Sequence, residues 1–193
     1  MTASAAPGAI VTLLLGFLPL VAFSLLEGIS VSLALWLSLG LAFTLGMRAF
    51  LETGRLRRLD VAFVVLFAGL ALYDGFVEPG MATGWVELVL HAGLFAVAAW
   101  SLATRRPFTG PYVNARDWPE DRDTPMVLRK NMLLSGVWTA TFAVMAGADA
   151  VTIFLHIASP VILAAAGLAV LAGALTFTWQ TETGLGRRAL GRE

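Results

Sequence analysis

Cysteine is absent from the 193 residues. That single absence excludes disulfides, thiolate metal centres, thiol catalysis and covalent haem attachment. Charge is scarce as well: 13% of residues are Asp, Glu, Lys or Arg, against about 25% in an ordinary soluble domain. No Gly-x-Ser-x-Gly, His-Glu-x-x-His or Gly-x-x-x-x-Gly-Lys pattern occurs. The chain therefore carries no hydrolase signal, nominates no catalytic residue and reads as a non-enzyme. Low-complexity stretches and a second domain are also missing. No basic region precedes the first apolar segment, which reads as a retained helix and not a cleaved signal peptide.

What remains is mostly apolar. Hydrophobic residues make up 58% of the chain, and the mean hydropathy is +0.80. A chain this apolar has no polar surface to spare, so a lipid bilayer is its expected solvent. The formal net charge is zero, but the charges are segregated. All 13 basic residues fall within Arg48–Arg58, Arg105–Lys130 and Arg187–Arg192. These stretches are short and read as topology signals, so nucleic acid is not an expected partner.

A membrane-spanning helix needs about 20 mostly apolar residues. Six segments approach that length, roughly 9–26, 29–47, 60–77, 84–102, 132–150 and 161–179. The expected fold is all-α, one bundle of six transmembrane helices over 1–193. Glu27 and Gly28 divide the first two spans into a tight hairpin, Pro19 is expected to kink the first, and Pro160 suits the first turn of the sixth. Lys and Arg stay on the cytoplasmic side, which places both termini and the loop 103–131 in the cytoplasm. The turns at 27–30, 78–84 and 150–160 hold no Lys or Arg and face outward. Trp85, Trp100 and Trp179 lie near span ends, as an interfacial aromatic belt requires.

Ionisable residues inside spans are expensive and mark candidate sites. Asp74, Glu87, His91 and Asp149 are the candidates for an ion or proton site, with Glu27, Glu78 and His156 near the outer surface. At ~1.5 Å rise per residue, Asp74 and His91 lie at similar depth, where an unpaired charge costs roughly 2.5 kcal/mol or more. A mutual Asp74–His91 pair is the expected solution. Glu87 and His91, four apart, share one helix face. The competing reading is that Glu27, Glu78, Glu87 and Asp149 mark water-exposed helix ends. No metal or cofactor site is expected. Bis-imidazole haem through His91 and His156 is disfavoured, because His156 sits at the outer turn.

The loop 103–131 carries Pro107, Pro111, Pro119 and Pro125, which forbid one long helix. It reads as an ordered connector or as a docking surface built on Tyr112, Arg116, Trp118 and Arg122. Small-residue stripes at helical spacing, Ala143 and Gly147 in the fifth span and Ala165, Ala169 and Gly173 in the sixth, suit close packing of those two spans. Homodimerisation is a second use for them.

The segment Gly16-Phe17-Leu18-Pro19-Leu20-Val21-Ala22-Phe23 matches the opening Phe-Leu-Pro-Leu-x-x-Phe of the intracellular septation protein A family. Phe67-Ala68-Gly69-Leu70-Ala71-Leu72 falls where that family has Gly-Gly-Leu-Thr-Leu. Arg106-Pro107-Phe108, followed by Leu128, Asn131, Trp138 and Phe142, is similar to its Lys-Pro-Leu loop opening and the helix beyond. Gly167 and Phe177 correspond to its last helix. The chain thus resembles that family over most of its length, but Met81-Ala82-Thr83-Gly84-Trp85 keeps only the Trp of the family's Phe-Ile-Lys-Trp-Lys-Pro segment. The resemblance implies a bacterial inner-membrane protein linked to cell-envelope upkeep and septation, with no catalytic residues to carry over.

The leading expectation is a non-enzymatic inner-membrane protein that works through partner membrane proteins in envelope or septum maintenance. One alternative is a small proton- or cation-coupled transporter using Asp74 and His91. Another is an accessory subunit of a larger membrane complex, docked through 103–131 and near a redox cofactor.

Overall fold

The computed structural model describes residues 8–113, 125–155 and 160–182, and side chains over most of these. The elements are α1 (Gly8–Leu26), α2 (Val31–Thr53), α3 (Arg58–Phe76), α4 (Thr83–Ala103), the short α5 (Gly110–Val113), α6 (Pro125–Leu155) and α7 (Pro160–Glu182). No strand occurs among the described residues. Four helices, α2, α3, α4 and α6, are long and apolar enough to cross a membrane, and the described apolar stretch of α1, Leu14–Leu26, is shorter. Large side chains such as Phe43, Val65, Trp100 and Phe154 point outward from them. An aqueous surface does not tolerate so continuous an apolar face; this is the build of a membrane protein.

The ends of the helices follow local chemistry. Ser30 caps α2, its hydroxyl accepting from the Leu33 amide at 3.3 Å. Gly54 ends the same helix in the left-handed conformation, φ 67°, where a Cβ is penalised. α1 runs unbroken through Pro19. The sixth element starts at Pro125, earlier than the expected 132, because proline suits a first turn and the polar Arg129-Lys130-Asn131 continue the helix ahead of its apolar part. The connector beginning at 103 is correspondingly shorter than expected.

Threonine hydroxyls along the helices turn to their own helix. Thr44 bonds the Gly40 carbonyl, Thr139 that of Ser135, Thr152 that of Ala148 and Thr178 that of Ala174, at 2.7 to 2.9 Å. A hydroxyl on an apolar helix is satisfied in this way without a partner helix.

In the bundle, α2 lies against both α1 and α3, α3 meets α4, α4 packs along α6, and α7 joins α6. The centre is aromatic. Phe17 of α1 stacks on Trp138 of α6, centroids 4.4 Å apart, and meets Phe63 of α3 edge-on at 6.0 Å. Phe63 continues to Phe67, and Phe67 to Phe23. Each such ring pair contributes about 0.5–1.5 kcal/mol beyond area burial. In lipid, where helix association gains no hydrophobic drive, that contact energy holds α1, α3 and α6 together.

The small-residue stripes are not at the α6–α7 contact. Ala143, Gly147, Ala169 and Gly173 are exposed, and nothing lies within 4 Å of a Cβ built on either glycine. The two helices meet through bulkier groups: the Trp138 indole donates to the Thr178 hydroxyl at 3.2 Å, beside buried Ala174. The side chain of Ala165 lies outside the described residues.

Candidate functional site

Charge separates the molecule into two ends. The basic end gathers the α2–α3 junction, the α4–α5 connector and the start of α6. There the Arg58 guanidinium donates to the Arg106 carbonyl at 2.7 Å, and the Thr109 hydroxyl meets Ser135 at 2.9 Å and the Asn131 carbonyl at 3.1 Å. The acidic end gathers the α1–α2 turn, the α3–α4 turn and the end of α6, where Trp85 packs edge-on against Phe154.

Two separate constellations occupy the acidic end. In the first, His91 Nδ1 lies 2.7 Å from Asp149 Oδ2, linking α4 to α6. The two side chains are 9% and 16% exposed, so each is withdrawn from solvent and each supplies the other's partner. Glu87, one turn nearer the start of α4, faces the same charges: it repels Asp149 and is attracted by His91. Glu27 joins from the α1–α2 turn. Burial, and then the negative charges of Glu87 and Asp149, push its carboxyl up to about 7. Its Oε2 is buried without a hydrogen-bond partner. Three carboxylates and one imidazole, drawn from three segments, thus share one field.

Asp74 stands in the second constellation and does not pair with His91. Its Oδ2 accepts from the Ser32 hydroxyl of α2. Its Oδ1 accepts from the Gly80 and Met81 amides at 3.0 and 3.1 Å. Three donors on one carboxylate satisfy it as an anion, and their placement ties the α3–α4 turn to α2. Asp74 is therefore a turn anchor. Rotation about the helix axes sends Asp74 and His91 to different neighbours. Glu78 is exposed in that turn and accepts from the Tyr73 hydroxyl at 3.3 Å.

The docking reading of Tyr112 is corrected. The side chain is fully buried, because α5 turns back into the bundle. Its hydroxyl donates to Asp60 Oδ1 at 2.7 Å, and Arg57 sits 4.9 Å over its ring. Gly16 makes room for the ring, since a Cβ there would lie 3.0 Å from Tyr112 Cε1. Burial and the Asp60 carboxylate push the Tyr112 phenol well above its ordinary value, so it remains a donor. Arg116, Trp118 and Arg122 lie outside the described residues, as does His156 of the haem alternative.

Sequence reading missed Asp60 and Ser32. Asp60 was hidden as the first residue of an expected span, although an acidic residue in the first turn of an apolar helix is itself a signal for a buried partner. Ser32 carries no signal by type or spacing. No group of three or more His, Asp or Glu among the described residues is placed to hold a metal ion. The described part of the acidic end thus gathers carboxylates and one imidazole, side chains of the types that accept and donate protons. No family model, no curated protein and no solved structure matches the chain.

Proposed function

We propose that the chain is a proton-binding membrane protein whose acidic-end cluster of Glu27, Glu87, His91 and Asp149 takes up and releases a proton near neutral pH. The carrying observation is the convergence of these groups with one Glu27 oxygen buried and unpartnered. Repulsion among carboxylates in a poorly solvated place favours retaining a shared proton, and the His91 imidazole lies within hydrogen-bond reach of Asp149. Asp74 is not part of the site. In the same proposal α1 and α7, of 19 and 23 residues, complete six spans. At ~1.5 Å per residue, the shorter covers about 28 Å, close to the ~30 Å hydrocarbon core. Among the described residues Lys and Arg lie at the basic end, which supports a cytoplasmic placement of that end and, with six spans, of both termini.

The test is proton flux into liposomes holding the purified chain, followed with an internal pH dye under an imposed gradient. Flux that is abolished by Glu27→Gln and by His91→Ala, and kept by Asp74→Asn, supports coupling at the cluster. Flux indifferent to all three contradicts it.

A second reading is a non-enzymatic inner-membrane protein of the septation protein A type, acting through partners in envelope or septum maintenance or as an accessory subunit. One observation favours it: residues that carry the resemblance pack on one another, Phe17 against Trp138 and Phe142, and Phe23 against Phe67. Purification in mild detergent tests it. Stoichiometric membrane-protein partners support this reading, and a chain isolated alone opposes it.

A further inference from the structure

A half-open cavity of about 180 Å³ lies at the basic end, among the ends of α1, α2 and α3. Leu15 and Leu45 form its apolar wall, and Arg48, Glu52, Arg57 and Asp60 its polar one. Arg48 and Glu52 are paired at 2.7 Å on the rim, with side chains 74% and 57% exposed. Deeper in, Asp60 is buried with Oδ1 held by Tyr112, and Arg57 is stacked on the Tyr112 ring. The polar wall thus presents two guanidinium groups and two carboxylates, with no net charge. Below it, Leu14, Leu15 and Leu18 leave the α1 flank exposed and apolar.

Each feature narrows the occupant. An anionic headgroup would meet Arg48 and Arg57 but also two carboxylates, and a simple cation would meet the reverse. A zwitterion matches both. Guanidinium groups suit a phosphate, and carboxylates need an ammonium that still carries N–H donors, which a trimethylated amine lacks. The apolar flank next to the cavity suits acyl chains. We propose that this cavity seats the headgroup of phosphatidylethanolamine, its phosphate toward Arg48 and Arg57, its ammonium toward Asp60 and Glu52, and its chains along α1. This inference is independent of the proton cluster at the opposite end.

The test is retention of lipid by the full chain. Protein is released with mild detergent from liposomes of equal phosphatidylethanolamine, phosphatidylcholine and phosphatidylglycerol, and bound lipids are counted by native mass spectrometry. The expected result is phosphatidylethanolamine held about fivefold above either competitor, a ratio equal to about 1 kcal/mol. The paired substitution Arg48→Gln with Glu52→Gln, on the exposed rim, should bring the ratio near one. Ala49→Leu, which fills the cavity without touching its charges, should do the same and serves as the second variant if the first fails to fold. Equal retention of the three lipids by the unaltered chain would overturn the proposal. So would a preference that survives both variants, or displacement of the lipid by soluble phosphorylethanolamine at comparable concentration.

Discussion

His91 of α4 and Asp149 of α6 meet at 2.7 Å across 58 positions of sequence, and both side chains are largely withdrawn from solvent. A withdrawn imidazole and carboxylate are tolerable together and expensive apart. Removing either partner leaves the other buried and uncompensated. His91→Ala and Asp149→Asn are therefore each expected to lower stability by about 2–3 kcal/mol. The double variant should cost about 1–2 kcal/mol less than the sum of the single ones, since it strands neither group. Thermal unfolding in detergent of all four proteins closes the cycle, and additive losses would show that the pair is not coupled.

Glu27 supplies a pH dependence of known sign. Its carboxyl stands at about 7 in the folded chain against an ordinary 4.5, raised by burial and by Glu87 and Asp149. The folded state therefore binds this proton more tightly than the unfolded one. Its contribution to stability is fully present below about 4.5 and is lost as pH rises through about 7. Glu27→Gln should leave the melting temperature unchanged in acid and raise it above neutral pH. The difference between the two melting curves should open within that window; a difference independent of pH would contradict the assignment.

Asp74 is predicted to matter for architecture alone. Asp74→Asn exchanges a carboxylate with three donors for an amide that presents hydrogens to at least one of them. A stability loss of about 1–2 kcal/mol is expected, with proton uptake by the cluster retained. Amide hydrogen exchange at Gly80 and Met81 should accelerate. Loss of uptake at unchanged stability would return Asp74 to the site.

Much of this arrangement was legible in the sequence, and the limit is physical. Apolar runs mark helices because lipid admits little else, so the six expected segments correspond to α1, α2, α3, α4, α6 and α7. The departures, α2 running to Thr53 and α6 starting at Pro125, fall where polar ends continue a helix beyond its apolar part. Azimuth was not legible, because nothing within one helix says which neighbour a face will meet. For that reason Asp74 turned to Ser32 instead of His91, and the stripe through Ala143 and Gly147 faced outward while Trp138 took the contact with α7. Tyr112 was misread for a related reason: a Pro-rich connector gives no sign that it will fold back into the bundle.

The Tyr112 latch makes its own prediction. Tyr112→Phe removes the hydroxyl that Asp60 accepts from and should lower stability by about 1–3 kcal/mol, the penalty for leaving a buried acceptor unmet. Gly16→Ala places a Cβ 3.0 Å from the Tyr112 ring and should loosen α5 without touching that hydrogen bond's chemistry. Both variants should admit protease to the connector after α5 sooner than the unaltered chain. Unchanged cleavage in both would mean that α5 is held by other contacts.

The most direct measurement of the central claim is infrared difference spectroscopy of the chain in bilayers, titrated across neutral pH. A protonated-carboxyl band that disappears with a midpoint near 7, is missing in Glu27→Gln and shifts in Asp149→Asn is the predicted result. A spectrum with no carboxyl titrating in that range, or a band untouched by both substitutions, would contradict a proton site at the acidic end.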